Sequence, residues 1–403
     1  MKPIVFSPRL PTVVALGCAQ TLAWASSYYL LAILAAPIAK DTGVTVPTVF
    51  GAFSVGLLVS AVLGPYAGRS IDRRGGRPVL MATSVAFAAG LAVLGSVDGV
   101  AGLFVAWAIL GVAMGSGLYE AAFAALVRLY GTDSRTAITG VTLFAGFAST
   151  VGWPLSTLLE SHFGWRGTCF IWASLHLVVG LPLNWSLPRP SKASQVEVHE
   201  QVLASGRSAP GHGRAKFILA VVFASTWFIS TAMAAHLPRL LQLSGATVAA
   251  AVGIGALIGP AQVGGRLLEL GVLRRIHPLL SARLAALMHP CGAAMLALVG
   301  TPVAAVFALM HGLGNGILTI ANGTLPLLLF GPSGYGKRQG LLMLPSRVAQ
   351  ALAPWLFGIA LDRWGDRALW LSVTLGMTAF IALMFLRPSS PAAQGQARVR
   401  APV

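Results

Sequence analysis

Twelve stretches of mostly apolar residues, each long enough to cross a bilayer, run at 12–38, 46–67, 78–97, 101–129, 138–160, 167–187, 215–241, 246–270, 280–300, 303–330, 339–361 and 367–386. A membrane-spanning helix needs about 20 such residues. Backbone N–H and C=O groups in lipid must find partners inside their own segment, so these stretches are predicted to be helices. Only 10% of the residues are charged, against about 25% in soluble domains, which excludes a soluble fold of this length. The first run is too long for a signal-peptide core and is expected to remain as the first span.

The turns between the spans set the orientation. On one face of the predicted bundle lie 22 Lys and Arg residues, and on the other only Lys40, Arg166, Arg239, Arg363 and Arg367. Basic loops stay in the cytoplasm, so both termini are predicted there, in an inner membrane of bacterial type. The net charge of +17 therefore belongs to loops and not to a nucleic-acid stripe, and no nucleic-acid partner is expected. Residues 188–214 are polar and read as a cytoplasmic linker between residues 1–187 and 215–387, each a six-helix bundle. Residues 388–403 are rich in Pro, Ala and Gln and read as a disordered tail. Cys18, Cys169 and Cys291 lie in apolar segments without paired spacing, so no disulfide framework is expected.

The most informative turn is GPYAGRSIDRRGGRPVL at 64–80. Its glycines allow a tight reversal and its charges keep it out of the hydrocarbon. The pattern Gly68-x-x-x-Asp72-Arg73-x-Gly75-x-Arg77 resembles the loop between the second and third helices of major facilitator superfamily transporters. It departs from that pattern at Gly76, where a second basic residue is usual, and at Arg69. A weaker copy recurs 197 residues later as Gly265-Arg266-x-x-Glu269 with Arg274. Pro154 and Pro354 lie 200 residues apart, and Trp24 is matched by Trp227. Together these matches indicate a duplicated six-span unit. The resemblance implies an all-α membrane protein with twelve transmembrane helices in two pseudo-symmetric bundles, and a substrate site between them. It also implies that Asp72 reaches across to helix ends near Arg128 or at the start of the eleventh span, closing the cytoplasmic side.

Ionisable residues deep in a span are costly and are functional candidates. Glu120 in the fourth span and Arg347 in the eleventh lie at similar depth. One reading gives Arg347 an anionic group of the substrate and Glu120 a proton. The other makes them a structural ion pair. His311, Asn315, Thr319 and Asn322 share a face of the tenth span by their spacing. Gln20, Trp24, Ser27 and Tyr28 share one in the first. The resemblance places the first, fourth, seventh and tenth spans around the cavity, so Tyr119, Trp227 and His236 are added to the candidate lining. His176 and His289 read as helix contacts. Pro37, Pro154, Pro238, Pro326 and Pro354 are expected to bend their helices. Gly111 with Gly115, and Gly312, Gly314 and Gly316, are expected to let helices approach closely.

No phosphate-binding loop and no cluster with metal spacing is present in the sequence, so neither a cofactor nor enzymatic activity is expected. The leading expectation is a monomeric, proton-coupled carrier of a small solute. Its buried arginine tilts the substrate toward a small organic anion, loosely like monocarboxylate and oxalate/formate carriers. An exporter of hydrophobic compounds is the alternative. A non-transporting membrane sensor is a third reading.

Overall fold

The computed structural model describes residues 9–189 and 212–386. Most of the expected linker at 188–214 and all of the expected tail at 388–403 lie outside the described residues. The first half consists of α1 (Leu10–Ala25), α2 (Leu31–Thr42), α3 (Val46–Arg74), α4 (Gly76–Gly95), α5 (Val100–Gly117), α6 (Tyr119–Tyr130), α7 (Arg135–Ala145), α8 (Ala148–Leu175) and α9 (Leu181–Trp185). The second half consists of α10 (His212–Leu243), α11 (Val248–Ala256), α12 (Ile258–Gly271), α13 (Pro278–Val299), α14 (Ala304–Phe330), α15 (Tyr335–Trp364) and α16 (Leu369–Met384).

Among the described residues, eight helical runs are long and apolar enough to cross a membrane. Of these, Val100–Trp185 holds three crossings and Tyr335–Met384 two. With α1 and α2 as the first span, the count is twelve. Gly164, at φ 67°, separates the fifth crossing from the sixth inside α8. One apolar core is built almost wholly from the first half, and two others from the second.

The helices approach each other through glycine, as their composition predicts. A Cβ on Gly111 of α5 would stand 2.4 Å from the Gly56 carbonyl of α3. In the second half, a Cβ on Gly316 of α14 would stand 2.2 Å from the Gln262 carbonyl of α12. The fourth span thus packs on the second as the tenth packs on the eighth. Between the halves, a Cβ on Gly68 would fall 2.0 Å from the Gly336 carbonyl, so α3 and α15 cross backbone to backbone. Gly76 has a local cause too, because a Cβ there would lie 2.2 Å from that of Ala125. A long basic side chain would not fit.

Four spans are broken near their middles: the first between Ala25 and Leu31, the fourth at Leu118, the fifth at Gly146–Phe147 and the eighth at Leu257. None of these breaks falls at a proline named above, but Pro260 stands three residues past Leu257, and its missing N–H leaves the Ala256 carbonyl at the end of α11 without a ladder partner. Pro37, Pro154, Pro238, Pro326 and Pro354 all lie inside continuous helices. A single proline removes one ladder bond, which the rest of a long span tolerates. The break in the first span occurs where side chains offer the backbone other partners.

Candidate substrate site

The broken spans put polar groups at the middle of the bundle. In the first span, the Ser26 and Ser27 hydroxyls donate to the carbonyls of Leu22 at 2.8 Å and Ala23 at 2.6 Å. Such back-bonding competes with the helix ladder. The helix stops, and Tyr28 and Tyr29 stand in the gap. In the fourth span, Leu118 is extended and the helix restarts at Tyr119. The carbonyl at the end of α5 is not left bare, because Gln20 Nε2 donates to Gly117 O at 2.6 Å. Leaving such a group unpaired would cost about 1–3 kcal/mol. Glu120 falls in the first turn of α6, where the positive end of the helix dipole favours a carboxylate.

Glu120 meets Arg347 of α15 across the two halves. Arg347 Nη2 lies 2.8 Å from Glu120 Oε2, with side-chain exposures of 4% and 14%. Arg347 Nη1 donates to Gln350 Oε1 at 2.9 Å, and the guanidinium sits 5.9 Å from the Trp227 ring centroid. Tyr28 shares a hydrogen bond with Thr231 at 3.0 Å and accepts from Gln350 Nε2 at 3.4 Å. Trp24 packs on Tyr119 at 4.8 Å and Tyr28 at 5.3 Å. It lies parallel to Trp227 of the other half at 6.4 Å. The first, fourth, seventh and eleventh spans therefore meet in one aromatic-lined cluster.

Arg266 departs from the place the repeated turn gives it. The matching Arg69 is exposed, whereas Arg266 is buried on α12 at 4% exposure. Its Nε and Nη1 have no hydrogen-bond partner among the described residues. The guanidinium lies against the break in the fifth span, where a Cβ on Gly146 would stand 2.1 Å from Nη1. The Tyr29 and Tyr119 hydroxyls are within its electrostatic reach. A buried cation without a partner is costly, so this is the group in the interior best placed to gain from an incoming anion.

The stripe on the tenth span is divided among different neighbours. His311 turns to the ninth span, with its Nδ1 2.8 Å from that of His289, and stacks on Phe307. It does not join the cluster around Arg347. Asn315 donates to Ser230 of α10 at 3.1 Å, and Thr319 bonds back to the Asn315 carbonyl. Gln339 donates to the Asn322 carbonyl at 2.8 Å. His236 bonds the Pro354 carbonyl at 2.7 Å. His176 bonds Ser26 at 2.7 Å and stacks on Phe87. Thr231 and Gln350 belong to the central groups without having been singled out in the sequence. Gln350 had a signal, since it lies one turn from Arg347 on the same helix.

At the face carrying the 64–80 turn, both copies of the motif acid cross between halves. Asp72 accepts from the backbone N–H groups of Gly336 at 2.8 Å and Lys337 at 2.9 Å, at the start of α15. Arg128 Nε donates to the Asp72 carbonyl at 3.2 Å. Glu269 is the counterpart on α12. It accepts from Arg135 Nη2 at 2.8 Å, at the start of α7, and from Ser281. Each acid thus holds the first turn of a helix in the opposite half. Gly75 closes α3 at φ 84°, a conformation that other residues rarely adopt. Arg77 lies 5.6 Å from the Trp185 ring, while Arg73 points outward.

The sequence model described as Major Facilitator Superfamily matches residues 16–354. A Thermoproteus tenax protein, described as an uncharacterized 38 kDa protein in the 23S RNA operon, is 27% identical over 357 residues. The match covers 87% of this chain and 89% of that one. Among solved structures, the proton:xylose symporter XylE bound to 6-bromo-6-deoxy-D-glucose superposes with a TM-score of 0.75 at 12% identity, covering 94% of this chain and 95% of that one. The E. coli fucose:proton symporter FucP gives 0.71 at 15%, covering 94% and 99%. The human organic anion transporter MFSD10 gives 0.71 at 17%, covering 93% and 99%. At these identities the solved structures establish the likeness of fold.

Proposed function

The chain belongs to the Major Facilitator Superfamily, and on that premise we propose that it moves a small organic anion across the membrane by alternating access, coupled to protons. It is a multi-pass membrane protein of transporter fold. Structural neighbours named for sugars and for an organic anion do not choose a cargo, so the charge of the site must. The observation that carries the reading is Arg266, a buried guanidinium with two N–H groups unpartnered among the described residues, packed against Gly146 of the opposite half. A carboxylate supplies strong, charge-assisted acceptors for such N–H groups. Trp24, Tyr28, Tyr119 and Trp227 give the rest of the anion an apolar surface. Arg347 is the second cation, held by Glu120 until the carboxylate is protonated or the cargo competes for it. The mostly aromatic lining also favours the alternative of a hydrophobic cargo, which would not need Arg266.

In this reading the face with the 64–80 turn is cytoplasmic and closed, held by Asp72 and Glu269, so the site opens to the other side. The half boundaries at 187 and 215 and the cytoplasmic position of both termini are part of the same proposal. Asp72→Asn keeps the side chain's shape but weakens its hold on two N–H groups. It is expected to leave the fold intact and impair transport several-fold. Normal transport by that variant would remove Asp72 from the gate. Gly146→Ala is expected to raise KM more than it lowers the maximal rate, because its Cβ displaces the Arg266 guanidinium. An unchanged KM would place the cargo elsewhere. The overall test is uptake of labelled short carboxylates and of neutral sugars into proteoliposomes, with and without an imposed proton gradient. Carboxylate uptake that the gradient stimulates supports the proposal. Uptake of the sugars alone refutes it.

A further inference from the structure

A second basic site lies away from the central cluster, where α7 of the first half meets α12 of the second. A cavity of about 290 Å³ is lined there by Arg135, Thr136, Thr139, Glu269, Leu270, Arg274 and Arg275. Three arginines and one carboxylate line it. That carboxylate is already engaged on both oxygens, by Arg135 and by Ser281. The side chains of Arg274 and Arg275 have no hydrogen-bond or ion-pair partner among the described residues. The pocket therefore carries an uncompensated positive charge on two built walls.

Its surroundings narrow the ligand. The pocket sits at the end of the eighth span, on the face rich in Lys and Arg. Beside it on the membrane side of α12, Leu267, Leu268 and Val272 are exposed at 52%, 44% and 65%. An anion with acyl chains would use both surfaces, and a free anion only one. Basic pockets between spans on the cytoplasmic side bind anionic headgroups.

We propose that this pocket binds the phosphate of an anionic phospholipid, with Arg274 and Arg275 from the second half and Arg135 from the first as its donors. The phosphate would span the halves only while the Arg135–Glu269 contact is made. Bound lipid would therefore favour the state closed on this face and slow its opening. That regulatory consequence rests on the transporter reading, whereas the binding itself does not.

The test measures binding without any cargo. The purified full chain is melted in detergent with phosphatidylglycerol, with phosphatidylcholine or with inorganic phosphate at matched concentrations. Bound lipids are counted by native mass spectrometry. A ligand that binds only the folded state raises the melting temperature. Phosphatidylglycerol is expected to raise it and to be retained, while the other two are not. Arg274→Gln combined with Arg275→Gln should melt like the parent without lipid, because both side chains are exposed, and should lose the lipid shift. Arg275→Gln alone should lose part of it, which keeps the test informative if the double variant misfolds. An equal shift with inorganic phosphate would overturn the lipid assignment. No shift with phosphatidylglycerol, or an undiminished shift in the variants, would overturn the site.

Discussion

Arg266→Gln is expected to lower carrier-mediated anion uptake by about 100-fold or more, while leaving the empty protein at least as heat-stable as the parent. The two halves of that expectation have one cause. The Arg266 guanidinium is buried, and two of its nitrogens lack partners among the described residues. Burying an ion in this way costs stability unless a counter-charge arrives. Glutamine removes the charge and relieves the empty protein. A bound carboxylate then loses its partner, and truncating one side of a buried charge pair costs about 2–5 kcal/mol. At about 1.4 kcal/mol per tenfold, that is a loss of about 30- to 4,000-fold in apparent affinity, which brackets the loss of uptake stated above for cargo below saturation. Arg266→Lys keeps the charge but not the planar guanidinium, and should fall between the two. A variant that melts lower and transports normally would make Arg266 a structural residue.

Glu120 and Arg347 should behave in the opposite way. Each is the other's partner at 2.8 Å, so Glu120→Gln or Arg347→Gln alone strands a largely buried charge. Each single change is expected to destabilise the protein by about 3–5 kcal/mol, and the double change by much less. Recovery of stability shows only that the pair exists. Activity separates the two readings left open by the sequence. If the pair also serves transport, the double variant is stable and yet fails in gradient-driven uptake. Glu120→Gln alone should lose that uptake while keeping exchange of cargo for cargo, which needs no net proton movement. A double variant that regains full uptake would leave the pair a structural one.

The 64–80 turn, the charge asymmetry and the apolar runs already describe the number of spans and the duplicated bundle. They succeed because lipid leaves few choices: a span must be helical, and a turn with five charges must lie outside it. Asp72 was legible as a group seeking helix ends. The breaks in the spans were not, because tertiary hydrogen bonds set them. The Gly117 carbonyl is freed only because Gln20, 97 residues away, can take it. The five prolines singled out as markers of bending marked none of the four breaks, and Pro260, which follows the break at Leu257, was not among them. Arg266 was placed in the repeated turn by its offset from Gly265. An offset gives the position along the helix, whereas burial depends on what the opposite half leaves open, here the absent side chain of Gly146. His311 matched the spacing of its stripe, but a histidine on the neighbouring helix satisfies it instead.

The most direct test of an anion carrier built around Arg266 is ligand-induced stabilisation of the purified protein across a panel of small solutes. The panel should hold mono- and dicarboxylates, neutral sugars and lipophilic cations, each tested on the parent and on Arg266→Gln. Binding to the native state raises the melting temperature, by an amount that grows with the logarithm of ligand concentration above its dissociation constant. The expected result is a shift with at least one small carboxylate that disappears in Arg266→Gln, with no shift from sugars or cations. A shift produced only by sugars or lipophilic cations, or a carboxylate shift that survives in Arg266→Gln, would contradict it.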